Sequence, residues 1–157
     1  MIIDLVWDTS GSMAEWGKAF ITRSVARSIE QYLRLGYSSA EMRLVAWGND
    51  AHVLDWRTDH EFPLELLAPK GTANAKALTS LLGTVSDRKI ILLTDGFWSR
   101  ADSKELTRWM KSLQQGTLRI IKIGSDSNPH LKDKDKDVFA AEDLFTALNN
   151  WLNWGTT

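Results

Sequence analysis

Ile2-Ile3-Asp4-Leu5-Val6-Trp7-Asp8-Thr9-Ser10-Gly11-Ser12-Met13 is the stretch on which the fold turns. An apolar run of strand length, Ile2 to Trp7, ends in an acid, two serines at alternate positions and a glycine. In an extended segment alternate side chains share a face, so Asp8, Ser10 and Ser12 can converge three oxygen groups on one point. Gly11 is expected to let the backbone turn sharply between them. From about Glu15 to Leu35 the apolar period becomes helical, with Ile21, Val25, Ile29 and Leu33 on one face and Gly36 as the stop signal. Ser12 is placed to help cap that helix, whose N-terminal dipole would hold nearby carboxylates in their charged form. Asp4 reads as an edge or face-lining residue of the strand, and Met13 as core.

Working outward, strand-length runs keep alternating with helical stretches, the pattern of an α/β domain with a mostly parallel sheet. Met42 to Trp47 and Ala51 to Trp56 are separated by Gly48-Asn49-Asp50 alone. That gap closes a hairpin but cannot hold a crossover helix, so this pair is expected to be antiparallel. Thr72 to Leu82 reads as a short helix, and Lys89 to Thr94 as a central strand buried on both faces. Ala101 to Gln114 reads as a helix, Leu118 to Ile123 and Val138 to Ala140 as strands, and Glu142 to Trp154 as a last helix. The alternating lysines and aspartates from Lys132 to Asp137 read as a solvated loop. The expected fold is a Rossmann-like, doubly wound, six-stranded sheet with one antiparallel edge strand and helices on both faces, in a single domain over residues 1–157.

Composition narrows the function. The chain has 157 residues, 43 % of them hydrophobic and 25 % charged, which suits a folded domain with a sizeable core. Nineteen Lys and Arg against twenty Asp and Glu leave a net charge of -1, with no electrostatic footprint for nucleic acid or an anionic membrane. Cysteine is absent, which removes disulfides, thiol catalysis and cysteine-type zinc sites. No apolar run approaches the roughly 20 residues of a membrane span, and no signal peptide is read at the start. A cytoplasmic location is the resulting expectation.

In an open parallel sheet, ligands bind beyond the carboxyl ends of the strands. Three segments bring oxygen groups to that edge: Asp8 to Ser12, the Gly71-Thr72 turn, and Thr94-Asp95-Gly96. Two carboxylates and several hydroxyls, with no histidine or sulfur among them, suit a hard divalent cation. Mg²⁺ comes first, with Mn²⁺ or Ca²⁺ as alternatives. His52, His60 and His130 have no ligand spacing and read as surface residues. Of the eight tryptophans, Trp7 and Trp47 read as strand core, and Trp109 and Trp151 as packed helix faces. Trp98 and Trp16 fall beside the oxygen-rich edge, where a large aromatic can anchor a partner or pack over its own loop.

Ile3 to Met13 together with Leu92 to Gly96 resembles the von Willebrand factor A domain and its metal-ion-dependent adhesion site. The resemblance covers nearly the whole chain in element order. It implies a metal set of Asp8, Ser10, Ser12, Thr72 and Asp95, with the three hydroxyls touching the ion and the two carboxylates acting largely through bound water. Thr72 follows Lys70-Gly71 where the family has a double glycine, and Thr58 is the fallback. The resemblance implies a non-catalytic module whose ion takes an Asp or Glu from a partner protein, with no small-molecule substrate. It also implies a kinship with small bacterial proteins that work beside chaperone-type ATPases, or beside a kinase and a phosphatase in stress or defence systems. The competing reading is a phosphoryl-transfer or acyl-phosphate enzyme built on Asp8. Against it, Ser10 stands where the haloacid-dehalogenase pattern needs a second aspartate, and Trp7-Asp8 supplies only one member of a receiver-type acidic pair. Walker and Rossmann glycine patterns are missing, and no histidine is placed by motif as a base for a serine nucleophile. On this reading Asp95→Ala should cost no more than about 1 kcal/mol in the metal-free protein.

Overall fold

In the computed structural model, residues 1–36, 40–84, 87–124, 127–128 and 137–152 are described. His130 and residues 132–136 of the charged stretch lie outside them, as do residues 153–157. Six strands form one sheet: β1 (Ile2–Asp8), β2 (Glu41–Trp47), β3 (Ala51–Val53), β4 (Arg88–Thr94), β5 (Leu118–Lys122) and β6 (Val138–Ala140). Their spatial order is β3-β2-β1-β4-β5-β6. Every neighbouring pair is parallel except β2 and β3, which run antiparallel with Trp47 opposite Ala51. The short Gly48-Asn49-Asp50 connection dictates this exception, as its length requires.

The sheet order reverses between β1 and β4, so the two most buried strands flank the switch point. The odd residues of β1, Ile3, Leu5 and Trp7, pack against α1 (Lys18–Gly36), α2 (Leu64–Leu67) and α5 (Leu144–Leu152). Val6 faces the other side, where α3 (Ala75–Leu82) and α4 (Arg100–Ser112) contribute Leu78, Leu82, Leu106 and Trp109. The sheet thus has helices on both faces, and Trp7, Trp47, Trp109 and Trp151 are all buried. No helix among the described residues is long and apolar enough to cross a membrane.

Several local expectations give way to packing. The long helix begins at Lys18, not Glu15, because Trp16 (φ 54°) and Gly17 (φ 72°) adopt left-handed backbone that a right-handed helix cannot contain. Gly36 is its last residue rather than a stop beyond it. The buried stripe of α1 is Lys18, Thr22, Val25, Ala26, Ile29, Glu30 and Leu33, while Ile21 is only partly covered. β3 ends at Val53, short of the expected Trp56, and Asn74 rather than Thr72 caps the third helix by accepting the Ala77 N–H at 3.2 Å. Asp4 is no edge residue. It is fully buried in a central strand, bonded to Arg43 Nε on β2 at 2.6 Å and Arg88 on β4 at 3.3 Å.

Candidate functional site

Trp7 pairs with Leu93 in the β1–β4 ladder, so the next residues, Asp8 and Thr94, end their strands side by side. Thr94 Oγ1 donates to Asp8 Oδ2 at 2.6 Å. The other oxygen, Oδ1, accepts from the Ser10 backbone N–H at 2.9 Å and the Ser10 hydroxyl at 2.6 Å. Asp8 is completely buried. Burial pushes its carboxyl above the ordinary range, the bonds from Ser10 and Thr94 oppose that, and nearby Asp95 adds a further upward push. The helix-dipole expectation fails here. Ser12 lies in a separate 3₁₀ turn, Gly11–Ala14, and caps no helix, so burial governs Asp8 instead.

Asp95, the residue after β4, is also completely buried. Its Oδ1 accepts the Phe97 N–H at 3.1 Å, and its Oδ2 lies 3.1 Å from the ammonium of Lys18. Lys18 is fully buried too, and its Nζ also reaches the Ser12 carbonyl at 3.4 Å. Asn128 closes the far side, its backbone N–H donating to the Asp95 carbonyl at 2.8 Å and its amide to the Gly96 carbonyl at 2.9 Å.

Three loops are tied together at this edge by backbone bonds. The Thr9 N–H donates to the Trp47 carbonyl at 2.7 Å, the Lys70 N–H to the Thr9 carbonyl at 2.8 Å, and the Gly11 N–H to the Gly71 carbonyl at 2.9 Å. Gly11 itself has no left-handed backbone, and a Cβ there would meet Gly71 O at an ordinary 3.5 Å. The sharp turn belongs to Gly71 instead. Its φ is +79°, and an added Cβ would come within 2.6 Å of the Asn49 side chain. That same Asn49 carbonyl accepts the Thr72 N–H at 2.9 Å and the Thr72 hydroxyl at 3.1 Å, holding an exposed Thr72 beside the serine loop. Thr58 lies elsewhere, sharing a cleft with Glu30, Arg34, Ala40 and Met42 at the other end of α1.

The donor set suits a hard cation. Ser10 spends its hydroxyl proton on Asp8, which leaves its lone pairs for another atom. Ser12 Oγ is buried with no hydrogen-bond partner, an unsatisfied state that costs about 1–3 kcal/mol unless a ligand fills it. Among the described residues no three His, Cys, Asp or Glu side chains gather as metal ligands. A cation here would therefore rest on hydroxyls backed by two carboxylates.

Thr94 and Lys18 join the five residues of the expected metal set at this site. Thr94 was visible in the Thr94-Asp95-Gly96 run, but its bond to Asp8 depends on β1 and β4 being neighbours. Lys18 lies at spacings of four and seven before Thr22 and Val25 on the buried stripe, a signal that an apolar count skips. The two tryptophans at this edge differ. Trp16 is 82 % exposed. Trp98 is half-buried, packed on Trp47 with centroids 6.1 Å apart, and its Nε1–H donates to Thr94 Oγ1 at 3.2 Å. Phe97, between Asp95 and Trp98 in sequence, is 43 % exposed. His52 and His60 are exposed at the surface.

No protein-family model matches the chain, and no curated protein matches it. Solved structures do match. Manganese-loaded TRAP protein of Plasmodium vivax superposes with a TM-score of 0.65 at 15 % identity, over 97 % of this chain and 73 % of that one. Proximal thread matrix protein 1 of the mussel byssus, with a zinc-occupied MIDAS motif, gives 0.57 at 14 % identity, over 94 % of this chain. The von Willebrand factor type A protein of Catenulispora acidiphila gives 0.55 at 21 % identity, over 96 % of this chain. The chain spans only 44 % of the mussel protein and 40 % of the Catenulispora protein. These superpositions cover nearly the whole of this chain, which has the fold of the von Willebrand factor A domain.

Proposed function

We propose that this protein is a metal-dependent protein-binding module, and that Asp8, Ser10, Ser12, Thr72 and Asp95 hold one divalent cation. Ser10, Ser12 and Thr72 supply the direct oxygen ligands, while the two buried carboxylates supply charge through water and through the serine hydroxyl. The observation that carries this reading is the buried, unpartnered Ser12 Oγ beside a Ser10 hydroxyl whose proton is committed to Asp8. Two structures of similar fold, one manganese-loaded and one with a zinc-occupied MIDAS motif, support a divalent cation as the ligand. Mg²⁺ is the ion we propose in the cell, on its hard-oxygen chemistry.

Bound there, the ion supplies an electrophilic position for one more oxygen, and we assign that position to an Asp or Glu of a partner protein. Trp16 offers the exposed aromatic surface to shelter such a contact, with Phe97 beside the site and Trp98 bracing it through Thr94. An enzymatic role for Asp8 finds no support. Its carboxylate is fully buried and held by bonds from Ser10 and Thr94, which favours a supporting role over that of a nucleophile. A setting beside an ATPase or a kinase–phosphatase pair in a stress or defence system is part of the same proposal, resting on the sequence resemblance alone.

The test pairs calorimetry with capture. Mn²⁺ or Mg²⁺ titrated into the protein should bind at one ion per chain, and binding should be lost in Ser10→Ala and Asp8→Ala. Proteins retained on the immobilised domain in Mg²⁺ should elute with EDTA and fail to bind Ser10→Ala. Equal metal affinity in parent and variants, or retention indifferent to EDTA, would overturn the reading.

A further inference from the structure

We propose that Asn49, in the hairpin between β2 and β3, is a positioning residue of the ion site, one that orients the Thr72 hydroxyl so that its lone pairs are left for the cation. The proposal rests on the metal reading above and adds a residue to which that reading gives no role. Asn49 Oδ1 accepts both the Thr72 backbone N–H at 2.9 Å and the Thr72 hydroxyl at 3.1 Å. A backbone N–H only donates, so the atom that receives it is the amide oxygen, and the orientation of the amide is settled. A hydroxyl has one proton and two lone pairs. With its proton directed at Asn49, Thr72 Oγ1 has lone pairs left for another atom. Ser10 stands in the same state, its proton directed at Asp8 Oδ1 at 2.6 Å. Two of the three proposed hydroxyl ligands are thus each turned outward by an acceptor of their own.

Asn49 is itself held in place from α3. The Asn74 backbone N–H donates to the Gly48 carbonyl at 2.8 Å and the Asn74 amide to the Asn49 carbonyl at 3.0 Å, while Asn74 Oδ1 is occupied by the Ala77 N–H. Gly71 lets the Asn49 amide lie close beside the turn, since an added Cβ would meet its Oδ1 at 2.6 Å and its Nδ2 at 2.7 Å. The hairpin tip, the Gly71-Thr72 turn and the cap of α3 therefore form one hydrogen-bonded unit that ends on a proposed ligand. Groups that orient a metal ligand in this way matter to affinity, because an ion then meets its ligands already arranged. The kind of acceptor matters too. Asp8 orients Ser10 with a carboxylate, whereas Asn49 orients Thr72 with a neutral amide, which adds no negative charge to compete with a partner's acid. An aspartate at position 49 would keep an oxygen for both Thr72 bonds and add a charge beside a proposed ion ligand.

Calorimetric titration of Mn²⁺ into the parent, Asn49→Ala, Asn49→Asp and Ser10→Ala separates the possibilities. Asn49→Ala is expected to bind Mn²⁺ about tenfold more weakly than the parent, the usual size for losing a group that orients a ligand. Asn49→Asp, which keeps the acceptor, should bind at least as tightly as the parent, and Ser10→Ala should not bind. A second readout needs no metal. In EDTA the Thr72 amide hydrogen should exchange faster with solvent in Asn49→Ala than in the parent, and at near the parent's rate in Asn49→Asp. Equal Mn²⁺ affinity in the parent and Asn49→Ala would overturn the role of Asn49, as would an Asn49→Asp variant weakened as much as Asn49→Ala. If Ser10→Ala still loses the ion in either case, the metal site stands. No Mn²⁺ binding by the parent would overturn the metal reading itself, and this inference with it.

Discussion

Between Asp95 and Lys18, both shut away from solvent and 3.1 Å apart, lies the consequence hardest to foresee from the motif. Taking away Asp95 breaks this buried pair, and breaking a buried pair by removing one partner costs about 3–5 kcal/mol. Asp95→Ala is therefore expected to lose about 3 kcal/mol in urea melts run in EDTA, not the 1 kcal/mol that the motif alone suggests. A loss under 1 kcal/mol would mean that the Lys18–Asp95 pair carries little of the fold's stability. Trp16 runs the other way. It holds a left-handed φ of 54° while 82 % exposed, so it has strain and little packing to offset it. Trp16→Gly should leave stability unchanged or raise it by up to about 1 kcal/mol, while weakening capture of an acidic partner. At this scale Asp8 and Ser10 were legible because strand alternation fixes where they point. Lys18 was not, because its burial follows from a charge across the sheet that no local pattern records.

The elements themselves were largely legible, since strand-length apolar runs and a four-residue spacing survive into the fold. Their order in the sheet was not. Asp4 reads from the sequence as an edge or face-lining residue, and only the position of β1 between β2 and β4 removes the edge and shows it binding Arg43 and Arg88 from both neighbours. Those arginine side chains are mostly covered, at 30 % and 21 % exposure, so Asp4 ties three strands together at the end opposite the proposed ion. Asp4→Ala should cost about 3 kcal/mol in a denaturant melt, with metal affinity preserved. Helix α2, one turn at Leu64–Leu67, was too short for any periodicity to show. The loop elements carry their own test. Gly71→Ala adds a Cβ within 2.6 Å of Asn49 at a φ of +79°, so the turn must shift. It should cost about 1–3 kcal/mol and weaken ion binding through Thr72, as calorimetry on the folded variant would show.

Across the whole molecule, the reversal of strand order beside β1 makes one end of the sheet different from the other. Asp8, Ser10, Ser12, Thr72 and Asp95 come to that end from three loops, and the helices on both faces leave it uncovered enough for Trp16 and Phe97 to stand in solvent. At the opposite end, Arg88, Lys89, Gly116 and Thr117 line a separate cleft. These two ends give the proposed ion site a spatial signature. Substoichiometric Mn²⁺ added to the ¹⁵N-labelled protein should broaden the amide signals of Ser10, Ser12, Thr72 and Gly96 first, while those of Ile2, Lys89 and Thr117 stay sharp, and Asp8→Ala should abolish the pattern. Broadening centred on another part of the surface, or unchanged in Asp8→Ala, would contradict a divalent cation held by these residues.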